Sequence, residues 1–151
     1  MKETVASLLE KQMQCVLATL SGQKPALHLM AYAFSADLDE IYLASMIETQ
    51  KVRNMRDSHH VTCLWDNRTG NNSDHTEGVA MSGFGTAREL TGETARSVGS
   101  LLLERNASLK QLLTDPAVVI FAIDIESYQW VEGYTRAMRY QPGNAVPSML
   151  S

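Results

Sequence analysis

The run AVVIFAIDIESYQWVEG, residues 117–133, constrains the fold of this chain more than any other segment. After Ile120 it alternates, with Phe121, Ile123 and Ile125 on one face and Ala122, Asp124 and Glu126 on the other, which is the period of an extended strand. A strand this long needs paired neighbours along its edges and an apolar layer on its face, so other segments must complete a sheet. CVLATL and ALHLMAYAF, joined by the turn SGQKP, read as an antiparallel hairpin. Residues Ile41 to Ser45, the run VTCLW and the run GVAMSGFGTAREL supply three further strands, six in all. Within the last of these, Gly83 and Gly85 remove side chains from one face, which predicts a bend, a bulge or a close approach.

Helical periodicity is confined to three places. Val5, Leu8 and Leu9, with Met13 following, predict a first helix from about Thr4 to Gln12. A short helix opens near Glu48 or Thr49 with Val52 and Met55 inward, and a longer one runs from Gly92 to about Leu113, broken near Asn106 and stopped by Pro116. The polar stretch DNRTGNNSDH is a loop of a size often kept for binding. With 151 residues, 44% of them apolar and 20% charged, the chain can build one core. The expectation is a single α+β domain over residues 1–151: an antiparallel sheet curled into a barrel, covering helices, and a loosely held tail from about residue 142.

Several function classes drop out on composition. A formal charge of -4 without a Lys/Arg block argues against a nucleic-acid binder. No stretch approaches the roughly 20 apolar residues of a membrane span, and MKETVASLLEKQMQ lacks the apolar run of a signal peptide, so a cytoplasmic location is expected. Cys15 and Cys63 stand in apolar strand runs without a CxxC, as buried free thiols do. His28, His59, His60 and His75 form no i, i+4 pair, so no metal site is expected. Ser82 and Ser97 lack a nucleophile elbow, and Gly83 and Gly85 sit inside a strand, where they make no dinucleotide fingerprint.

One junction carries chemistry. In IYLASMIETQKVRNMR, residues 41–56, a strand ends at Ser45 and a helix begins near Thr49, followed by Lys51. Two hydroxyls, the free N–H groups of a helix start and a cation suit a phosphate monoester. Alone, the segment reads equally as a Thr-capped surface helix with a solvated lysine.

Taken in order, VLATL with its turn and HLMAYAF, IYLASMIETQKVRNMR, VTCLW, MSGFGTAREL and IDIESYQWVEG resemble the pyridoxamine-phosphate-oxidase-like family of flavin-binding split barrels across most of residues 14–133. The resemblance implies a six-stranded antiparallel split barrel that binds FMN at the interface of a homodimer and exchanges electrons or hydride with a small molecule. It puts Ser45, Thr49, Gln50 and Lys51 near the phosphate and ribityl chain, and His28, Leu29, Met30 and Ala31 along the ring and ribityl chain, with Met46 also placed to touch the ligand. It also brings in Trp65, Asp66, Asn67 and Arg68, with Arg68 as a second cation. Three of these have a plainer alternative: Trp65 as core, Arg68 as a solvated loop cation, His28 as a barrel residue bonded to a neighbour. Gln50 stands before Lys51 where many relatives carry Arg, a loss that Arg68, or Arg136 or Arg139 of a partner, compensates. The C-terminal Arg and His pattern of the true oxidases is missing, with YTRAMRYQPGNAV in its place, so vitamin B6 oxidation is not implied. No general acid or base stands out. Deazaflavin F420 or haem in place of FMN, a non-catalytic flavin carrier or sensor, and an empty-barrel interaction module are the rival readings.

Overall fold

The computed structural model describes residues 1–133, 135–143 and 148–149. Helix α1 (Lys2–Lys11) leads into the hairpin β1 (Gln14–Ser21) and β2 (Lys24–Ala31). The hairpin turns through two residues, Gly22 and Gln23, with Gly22 at φ +62°, as a turn matched to strand twist requires. Then come β3 (Ala33–Phe34), β4 (Glu40–Met46), α2 (Gln50–Asp57), β5 (His60–Asp66), a one-turn α3 (Asp74–Glu77) and β6 (Val79–Leu90). Helix α4 (Gly92–Arg105) is followed by a 3-10 turn at Ala107–Leu109, α5 (Lys110–Leu113), β7 (Val118–Glu132), β8 (Arg136–Tyr140) and β9 (Ser148–Met149).

All pairings are antiparallel, and the main path runs β2-β1-β5-β6-β7-β4-β3, with β8 on β7 and β9 on β8. The two ends of this path, β2 and β3, are consecutive in the chain and separated by Tyr32 alone. The barrel therefore closes through a covalent link. This corrects the reading of ALHLMAYAF as one strand: it leaves the ladder with β1 at Ala31 and joins β4 at Ala33. Alternation cannot report such a switch, because both halves stay extended. The count rises from six strands to seven on the path, plus β8 and β9. Of the expected loose tail, residues 144–147, 150 and 151 lie outside the described residues, while Ser148–Met149 pair with β8.

Inside the barrel pack Leu17, Cys15, Cys63, Trp65, Met81, Ile123, Ile125 and Tyr128, with Val5, Leu8 and Leu9 of α1 over one end. The outer face of β4 and β7 forms a second core, where Ala44, Ile120 and Ala122 meet Val98 and Leu102 of α4. That explains why β4 is buried on both faces along most of its length. The glycines behave as read. The β6–β7 register shifts between Phe84 and Gly85, and a Cβ on Gly83 would lie 3.0 Å from Trp65 and 3.2 Å from Tyr128. Among the described residues no helix is long and apolar enough to cross a membrane.

Candidate functional site

The β4–α2 junction assembles as a compact polar corner. Ser45 sits opposite Val119 near the end of β4 and is 5% exposed. The backbone of Thr49 is extended (φ -121°, ψ 155°), and α2 starts directly after it. The Ser45 and Thr49 hydroxyl oxygens lie 3.1 Å apart, and each reaches the Met46 carbonyl, Thr49 at 3.0 Å and Ser45 at 3.3 Å. Thr49 does not cap its own helix, and the first N–H groups of α2 have no side-chain acceptor among the described residues. The first turn carries no acidic residue, and Lys51 forms no ion pair among the described residues. A helix start without acidic residues in its first turn, carrying an ammonium that forms no ion pair among the described residues, is a site of positive potential that favours an anion.

Beneath this corner runs a chain of side-chain hydrogen bonds that the sequence did not disclose. Arg53 donates to Gln50 Oε1 at 3.0 Å, and Gln50 Nε2 donates to Asn54 Oδ1 at 2.7 Å. Asn54 Nδ2 donates to Thr19 Oγ1 at 2.9 Å, and Thr19 Oγ1 lies 2.8 Å from His28 Nε2. Asn54 and Thr19 are only 2% and 1% exposed, so this is a buried tie between α2, β1 and β2. His28 is held below its ordinary pKa of 6.5, first by burial and then by the charge of Lys51. Through Thr19 and Asn54, His28 is tied to the helix that carries Lys51.

The other residues read as cofactor contacts fall in three places. Met30 is buried in the barrel, and Ala31 pairs with Gln14 at the far end of the hairpin. Leu29 points to the opposite face and is 64% exposed. Trp65 is core: it is 1% exposed and packs edge-on to Tyr32 and against Tyr128. Asp66, Asn67 and Arg68 cluster at the end of β5, where Arg68 pairs with Asp66 at 3.0 Å and the Asn67 side chain accepts the Val79 N–H at 2.7 Å. The β1–β5 register sets Ala18 against Thr62, so Thr19 lies near the start of β5, and Asp66 is four residues beyond Thr62. At 3.3 Å per residue that end is more than about 13 Å along the strand. One chain does not bring Arg68 to Lys51. Arg136, half-exposed, pairs with Glu132 at 3.7 Å.

Thr19 and Asn54 are the residues missed. Each is polar at a position whose neighbours point inward, Leu17 on β1 and Val52 and Met55 on α2, and that mismatch was the available signal.

A family model described as pyridoxamine 5'-phosphate oxidase matches residues 1–132. The chain belongs to that family. The match ends just before β8, so the segment in which the oxidase C-terminal pattern is missing lies outside it. Solved structures carry the same fold. General Stress Protein 26 of Bacillus anthracis superposes with a TM-score of 0.69 at 19% identity, over 93% of this family member and 97% of that chain. A haem-binding protein of Mycobacterium smegmatis gives 0.75 at 15% identity, over 91% and 58%. ChuZ of Campylobacter jejuni gives 0.79 at 11% identity, over 94% and 59%. The chain thus spans less than two thirds of the length of the last two. No curated protein matches its sequence.

Proposed function

We propose that this family member is a cytoplasmic homodimeric flavoprotein that binds FMN with its phosphate at the β4–α2 corner and exchanges electrons or hydride with a small molecule. The observation that carries the reading is the corner itself: two adjacent hydroxyls, a Lys51 without an ion pair among the described residues, and a first helical turn free of acidic residues. A phosphate there would take the Ser45 and Thr49 protons from the Met46 carbonyl and face Lys51. When bound, FMN supplies the redox chemistry, and the protein's part is to hold, orient and exclude water.

A second copy fits the layout. Leu27 and Leu29 are 71% and 64% exposed on the edge strand β2. The register aligns them with Val16, Ala18, Thr62, Leu64 and Phe84 on one sheet face. A contiguous apolar face of this kind favours burial against a like surface. The partner's far end of β5 is then the source of Asp66, Asn67 and Arg68 for the shared site. The buried free thiols Cys15 and Cys63 suit a reducing compartment.

The test is the visible spectrum of the purified protein before and after FMN, with free ligand removed. Paired flavin bands retained by the protein are expected, and a protein that retains no flavin refutes the reading. Haem is the second reading, favoured by the Mycobacterium smegmatis neighbour. It predicts a single intense band near the violet edge in place of the flavin pair, and deazaflavin F420 would likewise declare itself by its own absorption.

A further inference from the structure

The hydrogen bonds beneath the corner have a direction, and that direction ends on His28. An arginine only donates, so the Gln50 oxygen faces Arg53 and its amide nitrogen must face Asn54. Asn54 then presents its oxygen to Gln50 and its nitrogen to Thr19. The Thr19 oxygen, accepting from Asn54, has one proton to place, and among the described residues His28 Nε2 at 2.8 Å is the one acceptor within its reach. The imidazole nitrogen that accepts that proton carries none of its own. The ring's proton is therefore on Nδ1, which has no partner among the described residues.

We infer that Arg53, Gln50, Asn54 and Thr19 form a one-way relay that holds His28 as the neutral Nδ1–H tautomer and aims that N–H at an acceptor atom of the ligand bound beside Lys51. His28 is the binding residue; Gln50, Asn54 and Thr19 are positioning residues that act through it. What the N–H meets rests on the ligand site proposed above, whereas the tautomer does not. Burial of Thr19 and Asn54 keeps water from the inner links, while Arg53 and Gln50 set the direction from the surface, and the field of Lys51 disfavours a second ring proton. A neutral donor suits a phosphate or carbonyl oxygen next to a lysine, since it adds a directed hydrogen bond without adding charge repulsion.

The substitution Gln50→Glu tests the direction. A carboxylate only accepts, so Asn54 must turn its nitrogen to Glu and its oxygen to Thr19. Thr19 then donates to Asn54 and accepts from His28, which moves the ring proton to Nε2. The experiment is long-range proton–nitrogen NMR of the imidazole in the ligand-free protein at neutral pH. Nδ1–H in the natural sequence and Nε2–H in Gln50→Glu are expected. Nε2–H in the natural sequence, or a tautomer that Gln50→Glu leaves unmoved, overturns the relay. This readout is independent of flavin retention, so it stands or falls apart from the cofactor reading. A role confined to folding would leave the tautomer unchanged. With FMN bound, the Nδ1–H resonance is expected to shift, and bound FMN that leaves it in place overturns His28 as a ligand donor.

Discussion

The Thr19–Asn54 contact offers the sharpest energetic test, because both groups are almost wholly buried and each is committed to the other. Asn54→Ala deletes the 2.9 Å bond to Thr19 and the 2.7 Å bond from Gln50. Two neutral hydrogen bonds contribute about 1–3 kcal/mol together. The space left by the amide sits under α2, next to Val52 and Met55, and adds about 1 kcal/mol. The expected loss is about 2–4 kcal/mol, or about 4–16 °C in melting temperature for a chain of this size. Thr19→Val keeps the shape but strands the Asn54 amide nitrogen without an acceptor, at about 1–3 kcal/mol. In the double variant that nitrogen is gone, so the two single losses sum to about 1–2 kcal/mol more than the double. Urea unfolding of the four proteins measures the cycle. Additivity within about 0.5 kcal/mol would show that the two side chains do not depend on each other and refute the reasoning.

Lys51→Ala removes a charge that forms no ion pair among the described residues, so stability should hold while FMN affinity falls by about 1.5–3 kcal/mol in an equilibrium titration; unchanged affinity removes Lys51 from the site. Leu27→Asp with Leu29→Asp places charge on the exposed apolar row of β2 and should yield a monomer by light scattering with its fold intact; a dimer that persists would move the interface elsewhere. Because the pKa of His28 is lowered on folding, the unfolded chain takes up this proton first. Its contribution is therefore complete above 6.5 and is lost as pH falls from 6.5 through the lowered folded value. His28→Gln should flatten the slope of unfolding free energy against pH in that window, and an unaltered slope would assign it to another group.

The longer elements were legible because each has a local pattern of its own. The Val118–Glu132 strand is apolar at its start and alternates after Ile120, α1 repeats its apolar residues at helical spacing, and the break near Asn106 shows as the 3-10 turn at Ala107–Leu109. β8 was not legible: RAMRY is short and mixed, and it becomes a strand because the edge of β7 is there to pair with it. Site residues divide in the same way. Ser45, Thr49, Gln50 and Lys51 are close in sequence, so one strand-to-helix turn brings them together. Trp65 shows the opposite limit, since an aromatic at a strand end serves equally well in a core or against a ligand until its neighbours are known.

By itself, then, the sequence determined six strand segments, the three helical regions, the family resemblance and the polar corner, all of which depend on residues a few positions apart. Tertiary structure alone decided that the barrel closes at Tyr32, that Arg68 lies at the other end of β5 from Lys51, and that Thr19, 35 residues before Asn54, becomes its partner. Those outcomes depend on which faces meet across the sheet. Register and burial set that, and neither is encoded in any single window of the chain.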